Sequence, residues 1–392
     1  MRNFYNIFVF TALLAALQAC APSKTEDTST AQAPAEFQFD HRFDDSAKLL
    51  AGMELRPESE MAVWQKNAIW VRHAQTLNKN WETLEQQRLS RMRKWALDEL
   101  HIADEPSRKV FYPFSGPDFL HVNTFFPKAK SYIMIGLENP GTIPDYSKLD
   151  SGMLQTMTIQ IEAAIQDIFR RSYFITMSMS SDLSRSRLDG TAPVLFLFLA
   201  RTHNTIVDAQ YTEFSADGSV MDRRPDSKER PTGLHIKFMD PVDRIVRDLY
   251  YFKFDLSDEN ISKKPGFVKF IESQNCAISY VKSASYLMHY QNFSRVRDLI
   301  FNHSEFHLQD DTGIAYKFFD KNKWQLQLYG EYEHPIRDFS GVYEADLNQA
   351  YRQGPVKPVP FQLGYHWYTQ RNNLMLAIRK NNPGSPDTPA PR

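Results

Sequence analysis

Cysteine is nearly absent from this chain. Only Cys20 and Cys276 occur in 392 residues, so no disulfide framework holds the fold and no zinc-type cysteine cluster exists. An excess of charge is also lacking. The 46 basic and 47 acidic residues leave a net charge of −1, and without a basic stripe or charge block nucleic acid is not an expected partner. No apolar run reaches the roughly 20 residues that a membrane-spanning helix requires. Walker loop, dinucleotide fingerprint, EF-hand and His-Glu-x-x-His motif are all missing, so no cofactor or metal is expected. What remains is an ordinary globular composition, 42% hydrophobic and 24% charged, ample for a core. The 28 phenylalanines and 18 tyrosines fit aromatic-rich strands and core more readily than a ligand cleft.

The N-terminus is an address. Arg2 supplies a positive n-region, and residues 4–17 are mostly apolar but too short to span a bilayer. Leu17-Gln18-Ala19-Cys20 resembles a bacterial lipobox. That implies a signal peptide over residues 1–19, cleavage before Cys20, and acylation of Cys20, palmitate included. Ala21 in place of aspartate implies the outer membrane, with the protein facing the periplasm. The polar, proline-containing residues 20–36 suit a flexible tether. With Cys20 lipidated, Cys276 is left as a buried core thiol.

From residue 37 to 380 no Pro-, Gly- or Ser-rich break occurs, so one α+β domain is expected, as a single unit or two packed lobes, with a mixed sheet, flanking helices and a helical N-terminal segment. Residues 381–392, NNPGSPDTPAPR, read as a disordered tail. Helical spacing is clearest over 76–100 and 151–171. Residues 110–114 and 131–137 read as strands joined through Ser115-Gly116-Pro117-Asp118, where Asp118 can cap a helix over 119–126. Residues 193–214, containing VLFLFLART, are read as strand, as are 314–319 and 364–368, and 260–274 as one helix.

Four groups of residues carry candidate chemistry. Ser115 and Asp118 lie where a strand ends and a helix begins, an edge that collects ligands in sheets of parallel strands. Ser279-Tyr280-Val281-Lys282 satisfies the Ser-x-x-Lys spacing of serine–lysine pairs, without the companion motifs of penicillin-binding proteins. Lys282 also interrupts an apolar run, so it must reach solvent or a carboxylate. Asp310 and Asp311 form a turn with Thr312 and Gly313. His303 and His307, four apart, are better read as helix-end histidines than as metal ligands.

Tyr112-Pro-Phe-Ser-Gly-Pro-Asp-Phe119 and Leu308-Gln-Asp-Asp-Thr-Gly-Ile314, together with the lipobox, resemble an uncharacterised family of bacterial lipoproteins. The resemblance spans most of the chain. It implies no catalytic residue, and it gives weight to these two turns over the histidine pair. The expected function is an envelope lipoprotein that binds a ligand or another envelope protein. The alternative is a periplasmic hydrolase or transferase using Ser115 or Lys282 with an acidic partner such as Asp118, Asp310 or Asp311.

Overall fold

Five parallel strands form the middle of one large sheet, and everything else is arranged on its two faces and edges. The computed structural model describes residues 39–174, 188–223, 227–368 and 371–380. The expected signal, tether and C-terminal tail lie outside these residues.

In chain order the main elements are α1 (His41–Leu50), α2 (Ala68–Leu84), a π-helical turn at Glu85–Leu89, α3 (Ser90–Glu99), β1 (Lys109–Tyr112), α4 (Phe119–Phe125), β2 (Ser131–Gly136) and α5 (Ser151–Arg171). Next come α6 (Ala192–Arg201), β3 (Thr205–Phe214), β4 (Val220–Asp222), β5 (Gly233–Met239), β6 (Val246–Lys253), α7 (Asp258–Lys263), α8 (Pro265–Gln274) and β7 (Ile278–Val281). The chain then forms α9 (Ser294–His303), β8 (Phe306–Gln309), β9 (Trp324–Gly330), α10 (Ala345–Gln353), β10 (Val356–Lys357) and β11 (Asn373–Arg379). The result is an α+β fold with a mixed 11-stranded sheet in the order β10-β9-β11-β8-β7-β1-β2-β6-β5-β3-β4.

Strands β8, β7, β1, β2 and β6 are mutually parallel, flanked on one side by antiparallel β11 and β9 and on the other by antiparallel β5, β3 and β4. Parallel strands need cover on both faces, and strand alternation supplies two cores. Val110, Tyr112, Tyr132 and Met134 point into one, with α1–α6 packed over it. Phe111, Ile133 and Ile135 point into the other, under α7, α8 and α9. Because the middle strands are parallel, they all start on one edge of the sheet and end on the other.

Several sequence expectations fail for physical reasons. VLFLFLAR is helix α6, not strand, and every residue in it is buried. A helix that is apolar all round has no amphipathic period to read, and Pro193 sits in its first turn, where proline is tolerated. Pro265 divides the expected 260–274 helix into α7 and α8. The strands expected at 314–319 and 364–368 are short 3-10 turns at Tyr316–Phe318 and Gly364–His366.

Phe196 of α6 meets Phe43 of α1 edge-on at 6.2 Å and is fully buried. Phe196→Ala should therefore cost about 3–5 kcal/mol in urea unfolding, whereas a solvent-facing residue on a strand would cost little.

Candidate functional site

At the edge where the parallel strands end, Lys282 leaves β7 and turns into the helical core. Its Nζ lies 2.8 Å from Asp118 Oδ2, with both side chains almost wholly buried. It also donates to the carbonyl of Ser172, the left-handed residue that closes α5. Asp118 caps α4, accepting from the backbone N–H of His121 at 3.4 Å. Its carboxylate further meets His121 Nδ1 at 2.6 Å and the Tyr112 hydroxyl at 3.0 Å. A ring nitrogen 2.6 Å from an ionised carboxylate must carry the proton, which leaves His121 Nε2 with its lone pair. Arg88, in the π-helical turn and buried, donates to Ile168 O at 2.9 Å and adds a second cation whose field reaches Asp118. Such turns inside α-helices recur at functional sites.

The next strand adds the acidic pair. Asp310 Oδ2 accepts from the Ser283 N–H at 3.0 Å, and Oδ1 from the Thr312 N–H at 3.1 Å. Asp311 accepts from the Tyr286 hydroxyl at 2.5 Å and the Asn373 amide at 3.1 Å, and His366 Nε2 stands 3.6 Å away. His366 also lines an open cavity of about 610 Å³ with Glu331, Arg337, Tyr343 and Tyr368. A chain of polar groups thus runs from this cavity through His366, Asp311, Asp310 and Ser283 to Lys282. Aromatic rings roof it: Tyr365 packs on Tyr173 at 4.9 Å and on Phe339 at 5.7 Å, and its hydroxyl donates to Ser283 O at 3.0 Å.

The surroundings drive these acids apart. Burial pushes Asp118 up, but His121 and Lys282 outweigh it and hold its carboxyl at about 2. Burial lowers Lys282 from its ordinary value, and Asp118 opposes that. Burial also lowers His121 to about 4, leaving it neutral at pH 7. Asp310 is raised to about 6 by burial and by the like charge of Asp311. Asp311 goes the other way, because His366, Tyr286 and Asn373 overcome its burial. Acids and bases pushed in opposite directions side by side are the pattern of acid–base sites.

Two further observations single out this region. Buried polar atoms are normally partnered, yet His121 Nε2, Tyr280 Oη, Ser172 Oγ and Ser283 Oγ have no hydrogen-bond partner among the described residues, and all four belong to residues in or beside the Lys282 cluster. Backbone strain also gathers here. Of the eight described non-glycine residues in the left-handed region, Phe114, Ser172, Ser283, Ser285 and Tyr286 border the cluster, each costing about 1–3 kcal/mol. Gly364 has a φ of 62°, and a Cβ there would fall 2.5 Å from Asp310 Oδ2, so glycine is required both by conformation and by space.

Among the sequence candidates, Asp118, Lys282, Asp310 and Asp311 share this region. Ser115 does not join them: its hydroxyl donates to the carbonyls of Gly116 at 2.8 Å and Ile135 at 3.1 Å, tying the turn to β2. The Ser-x-x-Lys pair fails as well. Ser279 lies in strand β7 and Lys282 follows its last residue in an extended run, where positions three apart face opposite sides, and Ser279 bonds His307 Nδ1 at 2.6 Å in the other core. His303 ends α9 while His307 is buried in β8, and no metal-capable cluster of three or more groups occurs among the described residues. Cys276 is buried, its thiol raised by burial to about 12. Sequence reasoning missed Arg88, His121, Ser283 and His366. Only His121 left a signal, as the third residue after a capping aspartate. Comparison with known proteins adds no assignment, since no family model, curated protein or solved structure matches the chain.

Lys282→Met strands Asp118 and should destabilise by about 3–5 kcal/mol, whereas the double variant Asp118→Asn/Lys282→Met should recover most of that loss. Equal stability of the single and double variants in denaturant titration would count against an ion pair. A second expectation concerns Glu344, raised by burial to about 8 from an ordinary 4.5. A raised carboxyl favours folding below its ordinary value, and that benefit fades as pH rises through 8. Wild-type Tm should fall from pH 5 to pH 9, and Glu344→Gln should flatten the fall; identical slopes would refute this.

Proposed function

We propose that the chain is a lipoprotein of the bacterial cell envelope, held to the outer membrane through an acylated Cys20, whose α+β domain binds a small polar ligand beside Lys282 on the periplasmic side. The single observation that carries the ligand reading is the convergence of Asp118, His121, Lys282 and Asp310 at one strand edge, with buried polar atoms that have no partner among the described residues. Leaving such an atom unsatisfied costs about 1–3 kcal/mol, and a ligand supplying hydroxyls or similar groups removes that cost. The nearby cavity is lined by His366 and not by Lys282 itself; its volume of about 610 Å³ lies within the usual range for small-molecule sites, and the polar chain through Asp311, Asp310 and Ser283 links it to the cluster.

A second reading is a periplasmic hydrolase or transferase. It is favoured by one feature, the free lone pair on His121 Nε2, with Asp118 fixing the ring as a carboxylate fixes a general-base histidine. Lys282 would then steady developing negative charge. Ser115, engaged with backbone, has no part in it.

Two experiments test the proposal. Cys20→Ala should abolish palmitate labelling and move the protein out of the membrane fraction; a variant that still sediments with membranes rules out the anchor. Native mass spectrometry after incubation with the small-molecule fraction of periplasm should show a bound mass on the wild-type chain and none on Asp118→Asn/Lys282→Met. Identical spectra would remove the ligand site.

A further inference from the structure

Apart from the site, the most unusual surface feature is the turn between β5 and β6. Met239 pairs with Val246 across it, and residues 241–246, Pro-Val-Asp-Arg-Ile-Val, are all exposed. Val242 is 90% exposed, Ile245 43% and Val246 41%. No other stretch of this length among the described residues exposes three large apolar side chains, and isolated exposed apolar residues need no explanation.

The turn is built rigidly, and its carboxylates are engaged within it. Asp240 Oδ1 accepts from the Val242 N–H at 2.8 Å, and Asp240 O from the Arg244 N–H at 2.9 Å. Asp243 accepts from the Ile245 N–H at 2.9 Å and pairs through both oxygens with the buried Arg247 guanidinium. With Asp243 exposed but paired to Arg247, the unengaged outward groups of the turn are its apolar side chains and the exposed Arg244. On the same sheet edge Lys130 is exposed, its carbonyl accepting from the Asp248 N–H at 3.2 Å. Apolar tips beside the exposed cations Arg244 and Lys130 suit the boundary of an anionic bilayer.

Where the chain enters the domain supplies the second argument. The Asp40 N–H donates to Val207 O at 3.4 Å, and the Ile206 N–H to Asp44 Oδ1 at 3.1 Å, stitching the start of the domain to the start of β3. Thr205 and Ile206 pair with Met239 and Phe238, the residues that lead into the turn. The described chain thus begins beside this turn, and the residues between Cys20 and Phe39 span at most about 65 Å even when fully extended.

We propose that the turn 240–246 docks on the lipid surface that carries the anchor, inserting Val242 and Ile245 with Arg244 at the headgroups. The proposal rests on the lipid-anchored reading above. Three side chains are too small a patch for a stable protein interface, which buries about 800 Å² per partner, but they suffice as a second contact for a protein already tethered. Docked in this way, the domain presents the opposite edge, where the parallel strands end and Lys282 lies, away from the membrane.

The test uses the full acylated chain with Val242→Cys carrying an environment-sensitive fluorophore. Cys20 is blocked by lipid and Cys276 is buried, so the label is selective. Vesicles of phosphatidylethanolamine and phosphatidylglycerol should blue-shift its emission and expose it to a lipid-borne quencher. The same label at Leu137→Cys, 60% exposed just beyond the end of β2, should show neither effect. Protein that sediments with vesicles while the Val242 label stays in water keeps the anchor and overturns the docking. Protein that does not sediment overturns both. A blue shift without vesicles that grows with protein concentration overturns lipid in favour of a second copy, and a shift at both sites overturns the orientation.

Discussion

The ion pair between Lys282 and Asp118 constrains more of this structure than any other contact. Neither charge reaches water, and a buried charge persists only when it is paired and fully hydrogen-bonded. Meeting that demand draws on elements far apart in sequence. β1 brings the Tyr112 hydroxyl, α4 offers its capped N-terminus and His121, α5 contributes the Ser172 carbonyl at its end, and β7 delivers the lysine. A core of this chain could be apolar here and equally stable. The retention of so many polar groups at the ends of parallel strands, where ligands gather, is what a functional constraint predicts.

The strained residues support the same view. Ser283, Ser285 and Tyr286 follow one another closely in the left-handed region at the end of β7, where an ordinary turn would use glycine. Their conformations put the Ser283 N–H on Asp310 and the Tyr286 hydroxyl on Asp311. Asp310 and Asp311 are neighbours in sequence, but one is raised and the other lowered because their partners differ. Of these contacts only the Tyr286 hydroxyl widens the gap, by lowering Asp311; the Ser283 N–H lowers Asp310, which burial and the charge of Asp311 nevertheless raise.

Much of the architecture was legible in the sequence. β1, β2 and α5 declared themselves through periodicity, and Asp118 through its place before a helix. Lys282 stood out because a lysine within an apolar run must reach solvent or a carboxylate, and here it meets Asp118. The unread parts share a cause. α6 is buried on every side, so its residues carry no alternation of polar and apolar. Arg88 looked like one charge among many on a helix, and only a π-helical turn directs it inward. Ser283 and His366 have no local signature, because their importance comes from which strand ends are adjacent. Strand order is set by long-range packing, and no window of sequence contains it. The Ser-x-x-Lys spacing misled for a related reason: its chemistry presumes a helical turn, and β-branched and aromatic neighbours made that segment a strand.

A parallel sheet also imposes a polarity that an antiparallel one lacks. All five middle strands begin on one edge, and the described chain begins at that edge beside β3. All five end on the other, and that edge holds the buried charges, the left-handed residues and the cavity over His366. The two edges are separated by the length of the strands, so what is attached at one cannot obstruct the other. On the proposed function, a tethered domain that receives a diffusible ligand would need its attachment and its opening to point in different directions. A mixed sheet with a parallel centre meets that need by topology alone, before any particular side chain is chosen.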